Sequence, residues 1–181
     1  MQRTGADGRK LTAIILPALL IILILVDQIV KTYFKNEHDN NGFNSLCVIQ
    51  GFFYFTYTFN TGAAFSFLSD KPWAQTFFAA LTVVALIVFY VIYLYCIKKN
   101  KTLFLKLSLI FIIAGTLGNF IDRIYYKGVV DFLSFIFFGK NFAIFNIADA
   151  YMTVGVIMLF ISVFFIEKDA IFKKSEKKND C

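Results

Sequence analysis

Histidine is almost absent from this 181-residue chain: His38 stands alone, in a polar stretch. A histidine-rich metal centre is therefore excluded, and since His38 reads as a solvated loop residue no Ser-His-Asp triad is expected. Cysteine is scarce as well. Cys47, Cys96 and Cys181 are odd in number and far apart, so they form neither a disulfide framework nor a zinc site. No metal and no other cofactor is expected. Charge is thin: 17% of residues are charged and 59% are apolar, with a mean hydropathy of +0.69. Soluble domains are about 45–50% apolar, so the excess points to an integral membrane protein. The net charge of +6 does not indicate a nucleic-acid partner, because the lysines flank apolar runs and form no patch interleaved with aromatics. There is no internal repeat and no low-complexity segment.

What the chain has is long apolar runs. Four of them, about 11–33, 73–97, 103–121 and 145–166, each approach the roughly 20 residues a helix needs to cross the hydrocarbon. The expected fold is an all-α membrane protein of one domain, with four transmembrane helices and a small extracytoplasmic β-sheet over their outer ends. The first run follows Arg3, Arg9 and Lys10 but ends in Asp27 to Lys31 without a small-x-small cleavage site, so it reads as a retained anchor. The sheet is expected at about 48–69. There Phe52 to Phe59 is rich in aromatic and β-branched residues, Asn60-Thr61-Gly62-Ala63-Ala64 supplies a turn, and Phe65 to Leu68 gives a returning strand. The aromatic strand reads either as an interfacial anchor or as a lid. The lysine-rich segment 167–181 reads as a solvated tail.

Lysine and arginine set the orientation. Twelve of them lie in the N-terminal tail, around the second turn and after the last helix; six are spread over the two longer connections. Both termini are therefore expected on the cytoplasmic side. This topology brings the polar residues of the apolar segments to one depth, the outer interface. Asp27 and Lys31 end the first run, and Asn119 and Arg123 share a face near the end of the third. Asn146 and Asp149 share a face at the start of the fourth, and Asp131 lies in the link before it. Asp27 and Lys31, four apart, read as an interfacial ion pair. Asp122, at a helix end, reads as solvated and not catalytic. Asn146 suits a helix cap, Asp149 the positive end of a helix dipole, and Gly115 and Gly118 close helix approach.

Asp131, within Val129-Val130-Asp131-Phe132-Leu133, has no such ordinary role, and ionisable residues in apolar frames are functional by default. Two carboxyls held together cannot both ionise easily. One then serves as acid and the other as base, which is the equipment of metal-free amide hydrolysis. A Ser66/Lys31 pair would leave the aspartates without a task. Gly128-Val129-Val130-Asp131 lacks the second glycine of a G-x-G-D protease motif.

Five motifs now stand in order. They are Asp27-Gln28-x-x-Lys31, Asn60-x-Gly62-Ala63-Ala64-Phe65, Gly115-x-x-x-Asn119-x-x-Asp122-Arg123, Val130-Asp131-Phe132 and Phe145-Asn146-x-Ala148-Asp149. In this order and with four membrane segments, the chain resembles lipoprotein signal peptidase, the bacterial signal peptidase II. The resemblance runs from Asp27 through the fourth run. It implies an aspartic endopeptidase of the bacterial cytoplasmic membrane that cuts diacylglyceryl-modified prolipoproteins on the N-terminal side of the lipidated cysteine. By position it makes Asp131 and Asp149 the catalytic pair. Asn60, Gly62, Asn119, Arg123 and Asn146 would surround the substrate, and Asp27 and Lys31 would support the site. Membrane lipid is the implied surrounding, globomycin the implied inhibitor, and a monomer the default. Ala150 departs from the serine that many members carry there, which removes a hydroxyl beside Asp149.

The rival reading is a small proton- or ion-coupled transporter using the same aspartates. Coupling sites lie near the midplane between repeated halves, whereas these acids gather at one interface. A structural membrane protein whose polar residues merely hold helices together is a third reading. For the orientation, a reporter fused after Cys181 should be active only if it works in the cytoplasm. Activity of an export-dependent reporter at that position would contradict it.

Overall fold

The computed structural model describes residues 5–62 and 73–166. Helix α1 spans Gly5–Asn41 and has 37 residues. At 1.5 Å per residue it is about 55 Å long, well beyond a hydrocarbon core of about 30 Å. Its apolar stretch ends at Tyr33, yet the helix continues. Lys35 pairs with Asp39 at 2.5 Å one turn on, and Asn41 donates to Glu37 at 2.9 Å. Gly42, at φ 68°, then ends the helix in the left-handed conformation, with its N–H on the His38 carbonyl. The apolar run therefore marks the part of the helix suited to lipid and not the whole element. The third helix shows the same effect.

Helix α2 covers Ala74–Lys98, α3 Leu103–Tyr126 and α4 Ile147–Ile161, with a wider π-helical turn at Ser162–Ile166. Thr102 caps α3 by accepting from Leu105 N–H, and Lys127 stops it in the left-handed region at φ 63°. Asn146 and Asp149 start α4 with a reciprocal capping box. All four helices are long and apolar enough to cross a membrane. Only α3 has an inward majority: 67% of its most apolar window is buried, against 11%, 6% and 11% for the others. It is the central post on which α1, α2 and α4 each pack. Leu16, Tyr93, Cys96, Leu105, Leu109, Ile110 and Ile113 form the apolar core at one end of the bundle.

The sheet covers the other end. Its strands, β1 (Ser45–Ile49), β2 (Phe53–Asn60), β3 (Val129–Phe137) and β4 (Lys140–Asn141), lie in that order, with antiparallel neighbours. The aromatic strand is thus flanked by β1 on one edge and β3 on the other. It is hydrogen-bonded on both edges, which makes it a fixed wall and corrects the reading as a lid. The expected returning strand, Phe65 to Leu68, lies outside the described residues. The link expected to carry Asp131 is strand β3, contributed by the second long connection. Its sequence, Val-Val-Asp-Phe-Leu-Ser-Phe-Ile-Phe, escapes an alternation search because Val129, Val130, Asp131 and Phe132 are buried on both faces. Phe132 stacks on Phe34 of α1, with ring centroids 4.6 Å apart, and Phe34 also meets Phe55 of β2 at 5.2 Å. This aromatic seam fixes the sheet to the projecting end of α1. Because side chains alternate along a strand, it also turns Asp131 the opposite way.

Helices α3 and α4 meet at glycine. A Cβ on Gly115 would run into the Ala148 carbonyl oxygen and Met152 Cγ, and one on Gly155 would lie 2.8 Å from the Ser108 carbonyl oxygen. Such approach without side chains is how apolar helices pack where lipid gives no hydrophobic drive between them. Gly115→Leu should therefore force the helices apart and cost about 1–3 kcal/mol, read as a lowered Tm in detergent. Ile29→Ala, at a position 66% exposed on α1, should leave Tm nearly unchanged. Equal effects would contradict the close α3–α4 contact.

Candidate active site

Four segments bring polar side chains together beneath the sheet. Strand β3 presents Asp131, which is 3% exposed. Strand β2 places Thr58 directly opposite Asp131 and Asn60 opposite Val129, past an irregularity in register between Phe55 and Thr58. Asn60 therefore sits diagonally across from Asp131 on the same face, and its Nδ2 donates to Asp131 Oδ2 at 3.1 Å. Asn60 Oδ1 in turn accepts from Gly62 N–H at 2.9 Å, which closes the bend after the strand. The Asn-x-Gly motif thus sets a turn and aims an amide at a carboxyl.

Asn146, fully buried, joins the two aspartates. Its Nδ2 donates to Asp131 Oδ1 at 2.6 Å, and its backbone N–H donates to Asp149 Oδ2 at 3.2 Å. Its Oδ1 accepts from Asp149 N–H at 3.0 Å. The cap that begins α4 is therefore also the bridge between the carboxyls. Asn119 of α3 adds a second hold, donating from Nδ2 to Asp149 Oδ1 at 2.7 Å. Arg123 Nη1 donates to the Asn119 carbonyl at 3.3 Å, while its buried Nε has no partner among the described residues. Asp131, Asp149, Asn60, Asn119 and Arg123 line one cleft of about 490 Å³.

A second cluster lies behind the first. Lys31 is 1% exposed, and Asp27 and Asp122 are fully buried. Lys31 Nζ reaches Asp27 Oδ2 at 2.9 Å, Asp122 Oδ2 at 3.1 Å and Asn119 Oδ1 at 2.9 Å, one acceptor for each ammonium proton. Asp27 Oδ1 accepts from Ala148 N–H at 2.9 Å, and Asp122 Oδ2 from Val130 N–H at 3.2 Å. Gln28 Nε2 reaches both Asp27 and Asp122. The expectation that Asp122 is solvated is thereby corrected. It faces inward because Gly118, one turn earlier on α3, leaves room for the Asp27 carboxylate: a Cβ there would stand 2.5 Å from Asp27 Oδ2. The expected Asp27–Lys31 ion pair forms, and it is buried. Gln28 and Asp122 are the residues that sequence reasoning undervalued. The available signal was their place inside motifs together with the glycine one turn away.

Burial pushes the Asp131 carboxyl up to about 7, and the negative charge of Asp149 adds to the rise. The amides of Asn60 and Asn146, and then Lys31, act the other way. Asp131 is thus a carboxylic acid poised near neutrality beside a second, half-buried carboxyl. That pairing can hold a proton on one member and take one with the other. Among the described residues, no three His, Cys, Asp or Glu side chains are grouped to hold a metal.

Comparison with known proteins agrees with this arrangement. The family described as signal peptidase (SPase) II matches residues 19–165. A lipoprotein signal peptidase of Ectopseudomonas mendocina (strain ymp) is 40% identical over 155 residues, covering 84% of this chain and 89% of the relative. One from Clostridium tetani is 39% identical over 152 residues, covering 83% and 92%. A bacterial membrane enzyme solved by the in meso method at 2.3 Å resolution superposes with a TM-score of 0.69 at 34% identity, covering 86% of this chain and 88% of that one. A second, at 1.9 Å, gives 0.68 at 34% identity over 83% and 93%. With its four membrane-crossing helices and its family match over most of its length, this multi-pass membrane protein belongs to the signal peptidase II family of aspartic-type peptidases.

Proposed function

We propose that Asp131 and Asp149 are the catalytic pair with which this enzyme removes signal peptides from prolipoproteins. The substrate is diacylglyceryl-modified, and the cut falls on the N-terminal side of the lipidated cysteine. The observation that carries the assignment is the bridge at Asn146, which holds both carboxyls against one cleft. Asp131, raised toward neutrality, keeps the shared proton and offers it to the scissile carbonyl oxygen. Asp149 takes a proton from a water that attacks the carbonyl carbon. When the C–N bond breaks, the leaving amine takes up the proton Asp149 received. The titration belongs to the pair.

The other residues divide by contact. Asn60 and Asn146 orient Asp131, Asn119 and Asn146 orient Asp149, and Gly62 fixes Asn60. Arg123 lines the cleft with an Nε that has no partner among the described residues, suited to a substrate carbonyl. Asp27 and Lys31 support the site from behind. We place the chain, as one integral domain and a monomer, in the bacterial cytoplasmic membrane. Both termini are cytoplasmic, the sheet and cleft lie at the outer interface, and segment 167–181 is a cytoplasmic tail. A lipidated cysteine keeps its acyl chains in the bilayer, so its scissile bond arrives at that depth. The transporter reading is set aside, since the polar groups form a hydrolytic site at one end and no midplane path.

Incubating the purified protein with a lipidated prolipoprotein tests the assignment. Asp131→Asn and Asp149→Asn should each cut at least about 100-fold more slowly, the low end for loss of a general acid or base. Full cleavage by both variants would contradict it. The pH profile supplies a separate check. As pH rises through about 7, Asp131 loses its proton, so kcat should fall on the alkaline side. Asn60→Ala removes a hydrogen bond that favours the ionised form, so its alkaline midpoint should move to higher pH. A midpoint that stays put or moves down would contradict the role given to Asp131.

A further inference from the structure

The same cleft is also lined by three threonines from three helices: Thr82 of α2, Thr116 of α3 and Thr153 of α4. Helices α3 and α4 contain one threonine each, and in both cases it lines this cleft. Their depth matches. Thr116 precedes Asn119 by three residues on α3, and Thr153 follows Asp149 by four on the oppositely directed α4. Each therefore stands about one helical turn, about 5 Å, farther from the sheet than the group that binds or forms the catalytic pair.

The protons of these hydroxyls are already committed. Thr82 Oγ1 donates to the Phe78 carbonyl at 2.7 Å, Thr116 to Ile112 at 2.7 Å and Thr153 to Asp149 at 2.8 Å. Such bonds to a carbonyl one turn back are the usual resting state of a threonine in an apolar helix. They account for each residue singly, but not for three of them lining one cleft, two of them at one level. A hydroxyl whose proton is given away keeps its oxygen lone pairs. The three thus form a set of acceptors, with no free donor among them.

A signal peptide about to be cut presents the matching deficit. Its helix must open near the scissile bond so that the carbonyl can meet the two carboxyls. Opening frees backbone N–H groups at a depth where lipid offers no acceptor. An extended chain rises about 3.3 Å per residue, so a level about 5 Å below the reaction point meets the first one to three residues on the N-terminal side of the cut. We propose that Thr82, Thr116 and Thr153 accept hydrogen bonds from the backbone N–H groups of those residues and so hold the unwound end of the signal peptide. They are positioning residues: they choose an opened backbone and take no part in proton transfer. The inference rests on the peptidase reading above.

The test uses full-length protein in detergent and a lipidated prolipoprotein. Valine replaces threonine with little change of shape but without the oxygen. Thr82→Val, Thr116→Val and Thr153→Val should each raise KM about fivefold, as expected for one hydrogen bond, with the loss in KM and little in kcat. The corresponding Thr→Ser variants should restore it. A second substrate set replaces single amides before the cut with esters, removing one N–H at a time. The parent should lose affinity for at least one ester substrate, and the matching valine variant should be indifferent to that replacement. Valine variants that cut like the parent, or that remain as sensitive to the esters as the parent, overturn the inference while leaving the peptidase reading intact. A parent that leaves the lipidated substrate whole overturns both.

Discussion

The structure depends on one buried ammonium. Lys31 has no access to water, and its three protons are taken by Asp27, Asp122 and Asn119. Removing one partner of a buried ion pair costs about 3–5 kcal/mol, because the other charge is left without compensation. The cluster is therefore a strong constraint on how the elements meet. Through Asp27 it holds the first turn of α4 at Ala148, and through Asp122 it holds β3 at Val130. Through Asn119 it reaches Asp149 itself. A single cation on α1 thus fixes the two segments, β3 and α4, that carry the proposed catalytic carboxyls.

The geometry of the proposed catalytic pair follows from that constraint. Asp131 and Asp149 come from different elements with different local reasons to exist, one a strand residue and the other a helix cap. Neither reason alone would bring them together. Asn146 does so because it caps the helix and its side chain also reaches the strand. The amide bridges are neutral, so they can hold the pair whether it carries one proton or none, and burial then decides which state prevails at neutral pH. The cost of placing acids in an apolar frame becomes the source of their reactivity.

Much of this was legible in the residues. The four apolar runs located the helices because burial in lipid demands them. The carboxyl pair stood out because Val129-Val130-Asp131-Phe132 offers no cheap role for a charge. Two things were less visible. Strand β3 lacks alternation because both its faces are covered, so Asp131 was taken for a loop residue. Asp122 looked solvated at a helix end because nothing in its own neighbourhood reveals that α1 brings Lys31 against it. Both depend on contacts between segments about 90 residues apart, which periodicity cannot report. The aromatic strand suggested a lid because its two edges find their partners elsewhere in the chain.

The central claim is that Asp131 and Asp149 act as one coupled pair with a proton on Asp131. Carbon-13 NMR of aspartate carboxyls in the purified protein tests it most directly. The account predicts a carboxyl resonance, identified by its loss in Asp131→Asn, that titrates with a midpoint near 7. In Asp149→Asn that midpoint should fall, because the neighbouring charge that helps to raise it is gone. An Asp131 carboxyl already ionised well below neutrality, or a midpoint indifferent to Asp149→Asn, would contradict the account.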